Sequence, residues 1–145
     1  MKGLAGLPAV QRLIELAIEE DLGRGDATTA AVLGGDDREV DARLVARQVL
    51  VLAGVDVAAA VFARVDPEIE IDVQHKDGEL LAAGAVVMTV SGPAATILQA
   101  ERTALNFLQR LSGVATQARR FADAVVGTGA RVIADGVQTD AARDL

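Results

Sequence analysis

The chain has 145 residues, 51% of them hydrophobic and 24% charged, with a formal net charge of −7. Area scaling buries roughly two-thirds of the surface of an unfolded chain this long, so a packed core is expected and disorder is not. With no Cys, no Trp, no Tyr, three Phe and one His, disulfides, thiolate chemistry, cysteine-ligated zinc and iron–sulfur clusters are excluded, and a basic, aromatic nucleic-acid surface is disfavoured.

The first predicted element is a helix over residues 7–22. Val10, Leu13, Ile14, Ala17 and Ile18 recur at helical spacing, with Gln11, Arg12, Glu15 and Glu19 on the other face. Pro8 suits its first turn and Gly23 its stop, after which Gly-Arg-Gly-Asp-Ala-Thr-Thr (23–29) reads as a polar turn. From Arg38 to Arg47 the pattern alternates, with Val40, Ala42, Leu44 and Ala46 on one side of a half-buried strand. A short apolar strand (50–54) ends at Gly54, and residues 55–66 read as a short helix. Ile69, Ile71 and Val73 mark a further strand that runs into a His-Lys-Asp-Gly turn. Residues 86–90 (Val-Val-Met-Thr-Val) form another, apolar on both faces. Residues 94–126 are helical, with Gly113 expected to divide them in two, and 130–135 read as a new strand. The opening residues lack a signal-peptide core and no apolar run reaches about 18 residues, so a soluble, cytoplasmic protein without a membrane partner is expected.

The densest chemistry lies in residues 97–116. Ile97, Leu98, Ala104, Leu105, Leu108 and Leu111 make an apolar stripe that Glu101 interrupts, with Arg102 in the adjoining row. A charged pair there is costly unless it is paired or meets a charged ligand. Periodicity leaves both readings open: a structural Glu101–Arg102 salt bridge, or an Arg held to grip a carboxylate or phosphate bidentately. Other candidates are weaker. Arg24, Asp26, Thr28 and Thr29 read mainly as turn residues, His75 as part of a surface turn, and Arg119-Arg120 as a solvated helix face. Gly127-Thr-Gly129 lacks the Lys and the preceding strand of a phosphate loop. No residue is singled out as catalytic or as a metal ligand. Residues 73–92 share the turn-and-strand rhythm of lipoyl-type modules, but Lys76 precedes the Gly rather than tipping a hairpin.

The segments EEDLGRGDATT (19–29), ARLVARQVLVLAG (42–54), DGELLAAG (77–84), AERTALNFLQRLSGVAT (100–116) and GTGAR (127–131) resemble quinolinate phosphoribosyltransferase over nearly the whole chain. The resemblance implies an α+β fold: a mostly antiparallel sheet flanked by helices in an N-terminal domain (1–127), then the start of an α/β barrel (128–145). The rest of that barrel is expected to be missing apart from its first strand. It also implies a pentosyl transfer in de novo NAD biosynthesis, with quinolinate and phosphoribosyl pyrophosphate giving nicotinate mononucleotide, pyrophosphate and carbon dioxide. The resemblance also implies Mg²⁺ as cofactor, with phosphoribosyl pyrophosphate, through ligands outside this chain. Arg102 is implied as a substrate-binding residue given to the neighbouring subunit's site in a homodimer or higher assembly. One departure stands out. Where the family carries D-T-R-K-T, this chain has Asp135-Gly136-Val137-Gln138-Thr139, so two cations are replaced by Val137 and Gln138. The isolated chain is therefore expected to be inactive, as an incomplete enzyme. A dimerising or regulatory remnant, or a paralogue using another phosphoribosyl acceptor, is the alternative.

Overall fold

The computed structural model describes residues 3–33 and 38–132. After a 3₁₀ turn at Leu4–Gly6, the elements run α1 (Pro8–Leu33), β1 (Glu39–Val45), β2 (Leu50–Val51), α2 (Val55–Val65), β3 (Glu70–Val73), β4 (Leu80–Leu81), β5 (Val86–Pro93) and α3 (Ala94–Ala124). The expected α+β class holds, and among the described residues every strand pair is antiparallel.

β5 is the centre of a three-stranded sheet in the order β1-β5-β3, and β2 pairs with β4 in a two-stranded ribbon. Register explains the core. Ala42 and Leu44 lie opposite Val90 and Met88, which on their other side meet Ile71 and Val73. Met88 and Val90 are fully buried, and Val73 emerges at the sheet edge. The alternate positions put Arg43, Thr89 and Asp72 in one polar row. Gln74 donates to Thr89 Oγ1 at 3.2 Å in that row. α2 and α3 close the core, with Phe62, Val61 and Ala58 against Ile97, Ala100 and Ala104 in one apolar cluster. Since aromatic side chains are scarce, close helix approach on alanines fills the space that larger residues otherwise occupy.

Four expectations are corrected. α1 does not stop at Gly23 but continues through the expected polar turn to Leu33. Glycine in a helix interior costs only about 1 kcal/mol relative to alanine, too little to end a helix without a competing cap. Leu13, expected on the buried face of α1, is 52% exposed; Ile14 is the buried residue, with Val10 and Ile18 packed beside it. Gly113 does not divide the long helix, because α3 runs unbroken from Ala94 to Ala124. Finally, Leu80–Leu81 forms a strand that alternation over so short a stretch could not announce. Residues 130–132 have no regular structure. The rest of the strand expected there lies outside the described residues, as do Val137 and Gln138.

Candidate functional site

α3 carries the densest motif, and its two faces differ in what their polar groups do. Ala100, Ala104, Leu108, Ser112 and Thr116 follow one another at four-residue spacing along the inner row. The apolar members are buried in the core cluster. The two hydroxyls continue the row and bond to the backbone near the ribbon strand β2. Ser112 Oγ accepts from the Ala53 amide at 3.0 Å and donates to the Ala53 carbonyl at 3.2 Å. Thr116 Oγ1 accepts from the Val51 amide at 2.9 Å and donates to the Ser112 carbonyl at 2.6 Å. Beside Ser112, Leu111 covers Gly54, whose φ of +86° suits glycine and whose missing Cβ leaves room for that leucine.

The His-Lys-Asp-Gly turn completes this clasp. Both Asp77 carboxylate oxygens accept backbone amides at the start of α2, from Gly54 at 2.8 Å and Val55 at 2.9 Å. A carboxylate there satisfies orphan donors and complements the helix dipole. His75 Nδ1 lies 2.8 Å from Glu79 Oε2, and Glu79 Oε1 accepts the Lys76 amide. Those two hydrogen bonds hold the Glu79 carboxyl below its ordinary range.

Thr103 links α3 to α1. It is 2% exposed, and its hydroxyl donates to Asp21 Oδ2. Among the described residues no buried side-chain polar atom lacks a partner.

The outer row runs Leu98, Arg102, Asn106, Arg110 and Val114, all exposed. Neither Arg102 nor Arg110 makes an ion pair or hydrogen bond with any described residue. The structural reading of Arg102 therefore loses its partner: no Glu101–Arg102 bridge forms, and Arg102 stands outside the apolar stripe, with Glu101 half-buried. What remains is an uncommitted guanidinium fork on a rigid helix, a geometry suited to a carboxylate or phosphate.

The other candidates do not gather around it. His75 is engaged with Glu79, and Arg119 pairs with Asp123 four residues on. The side chains of Arg24, Asp26, Thr28 and Thr29 lie outside the described residues. A depression of about 300 Å³ on another part of the surface is lined by Glu39, Asp66, Glu68, Glu70, Ser91, Gly92 and Pro93, and its charge repels an anion. Among the described residues, no group of three or more Asp, Glu or His is placed to hold a metal ion. No described helix is long and apolar enough to cross a membrane.

Sequence reading missed Thr103, Asp21, Ser112, Thr116 and Asp77. A signal existed for two of them: small hydroxyl residues prolonging an apolar row at four-residue spacing point to helix–backbone clamps.

Fold and site together define an α+β domain with a helix-borne cation that is unpaired among the described residues. The chain belongs to the family described as the quinolinate phosphoribosyl transferase N-terminal domain, whose model matches residues 26–112. It is 40% identical over 116 residues to an Arabidopsis thaliana protein named nicotinate-nucleotide pyrophosphorylase (carboxylating), chloroplastic, covering 79% of this chain and 33% of that one. A Bacillus subtilis protein, named probable nicotinate-nucleotide pyrophosphorylase (carboxylating), is 34% identical over 76% of this chain and 37% of its own length. Among solved structures, nicotinate-nucleotide pyrophosphorylase from Francisella tularensis matches with a TM-score of 0.77 at 30% identity. It covers 88% of this chain and 46% of that one. The 145 residues thus span between a third and a half of these relatives' length.

Proposed function

We propose that this chain is the quinolinate-gripping part of a pentosyltransferase that joins quinolinate to phosphoribosyl pyrophosphate. The products are nicotinate mononucleotide, pyrophosphate and carbon dioxide, in NAD biosynthesis. The observation that carries the reading is Arg102, exposed and without a partner among the described residues, inside the segment that the family model matches. Quinolinate is a dicarboxylate, and a planar guanidinium meets a carboxylate through two parallel hydrogen bonds. Arg102 points away from its own core, which suits the role the resemblance implies, a site on a neighbouring subunit formed by two copies of the chain. Exposed Leu13, Leu16, Val114 and Phe121 supply apolar surface for such an association. Mg²⁺ accompanies phosphoribosyl pyrophosphate, and no described residue is assigned to it. The cytoplasm is the compartment we infer, although plant relatives bear chloroplastic and mitochondrial names.

The test is binding rather than turnover, because the chain spans less than half of its relatives. Quinolinate is titrated into the wild-type chain, Arg102→Lys and Arg102→Ala, with sedimentation at the same concentrations. Lysine keeps the charge and loses the fork, so both variants should lose on the order of 2–5 kcal/mol of binding. Unfolding free energy should stay within about 0.5 kcal/mol of wild type, as for any exposed, unpaired side chain. Undiminished affinity in Arg102→Ala would overturn the reading.

A further inference from the structure

Arg102 stays uncommitted among the described residues although an acid of α1 reaches the adjoining residue of α3. Asp21 of α1 reaches α3 at the very next residue, where it accepts the buried Thr103 hydroxyl. Consecutive Cα atoms are 3.8 Å apart, so the long Arg102 side chain starts within easy reach of that carboxylate. We propose that Thr103 is a positioning residue that holds Asp21 in the α1–α3 seam and away from Arg102, leaving the guanidinium for an external carboxylate. This rests on the reading of Arg102 as an anion grip.

The chemistry of the three groups supports it. An arginine–carboxylate pair is charge-assisted and can be bidentate, so it would occupy the fork that a ligand needs. A threonine hydroxyl is neutral. It satisfies an Asp21 lone pair without consuming a cation, and its β-branched side chain has restricted χ1, which limits where its Oγ1 can sit. Thr103 is also deeply buried, so water does not compete for the bond. Removing the hydroxyl leaves a partly buried carboxylate short of a donor, a costly state that pairing with Arg102, unpaired among the described residues, would relieve.

The experiment compares Thr103→Val, Thr103→Ser, the double variant Thr103→Val with Asp21→Asn, and Asp21→Glu. Two readouts are used: quinolinate affinity, and the NMR exchange rate of the Arg102 Nε–H with water in the ligand-free chain. Thr103→Val should bind quinolinate about tenfold more weakly and show a slowly exchanging Arg102 signal, while Thr103→Ser stays near wild type. Removing the Asp21 charge in the double variant should restore both readouts, a coupling that a merely structural hydroxyl would not give. Asp21→Glu keeps Thr103 and lengthens the acid toward Arg102; it should weaken binding and slow the exchange, and it carries the test if Thr103→Val does not fold. Weak binding that the double variant fails to restore, or an Arg102 signal unchanged in Thr103→Val and Asp21→Glu, overturns the proposal. Loss of this device is distinguishable from loss of the functional reading. If Arg102→Ala binds quinolinate normally, the functional reading fails while the exchange rates still report whether Thr103 keeps Asp21 from Arg102.

Discussion

The inner and outer rows of α3 are drawn from the same twenty residues and behave as different materials. On the inner row, Ser112 and Thr116 bond to the backbone near β2, and neighbouring Thr103 bonds to Asp21. On the outer row, Arg102, Asn106 and Arg110 face solvent, and both arginines are unpaired among the described residues. A 3.6-residue period sorts one contiguous motif into architecture and chemistry. Much of what makes such a stretch recognisable is therefore the clamp that holds the helix in place, and only the remainder can touch a ligand.

Substitutions on the inner side should break the fold, and those on the outer side should not. The largest effect is expected at Gly54. An added Cβ there would stand 2.4 Å from Leu111 Cδ1 on a backbone with φ of +86°. The left-handed conformation and the overpacking together should cost on the order of 3 kcal/mol, read as a lower urea midpoint for Gly54→Ala. Pairing it with Leu111→Ala should recover the overpacking part alone. Ser112→Ala comes next. It removes both bonds to Ala53 and leaves a partly buried amide and carbonyl short of a partner, a loss of about 2 kcal/mol. Arg110→Ala is the control on the outer row and should stay within about 0.5 kcal/mol of wild type. Equal losses for Ser112→Ala and Arg110→Ala would erase the distinction between the rows.

Legibility in the sequence followed the same division. Alternation in β1 placed Ala42 and Leu44 inward, and the apolar run at 86–90 marked the strand that becomes the sheet centre. The first is a period-two signal, as a half-buried edge strand shows, and the second is a short continuous apolar run, as a strand with neighbours on both sides shows. The helices were found but misjudged in extent at Gly23 and Gly113, because local propensity is small beside continuous hydrogen bonding and tertiary packing. The Asp21–Thr103 bond joins residues 82 apart, and no local pattern encodes it. Arg102 was visible as an oddity beside an apolar stripe. Only the structure removed its structural partner, by placing it on the exposed side.

The smallest expected effect lies in the turn between β3 and β4, where polar groups are engaged but exposed. Glu79 accepts from the Lys76 amide and meets His75, and both contacts lower its carboxyl from an ordinary value of 4.5. A carboxyl lowered on folding contributes stability that is present above the unfolded value and is lost as pH falls through the folded one. Glu79→Gln keeps an oxygen for the Lys76 amide and removes the charge. The wild type should therefore be slightly more stable than Glu79→Gln near neutral pH, with the difference closing as pH falls below 4.5. Solvent screening keeps the gap small, since exposed pairs gain little from Coulomb attraction. Urea midpoints of both proteins across the acid range would show it. A gap that widens toward acid would mean that protonated Glu79 is the form the fold prefers. A gap as large as the Ser112→Ala loss would mean that surface pairs and inner-row clamps are not energetically different kinds of contact.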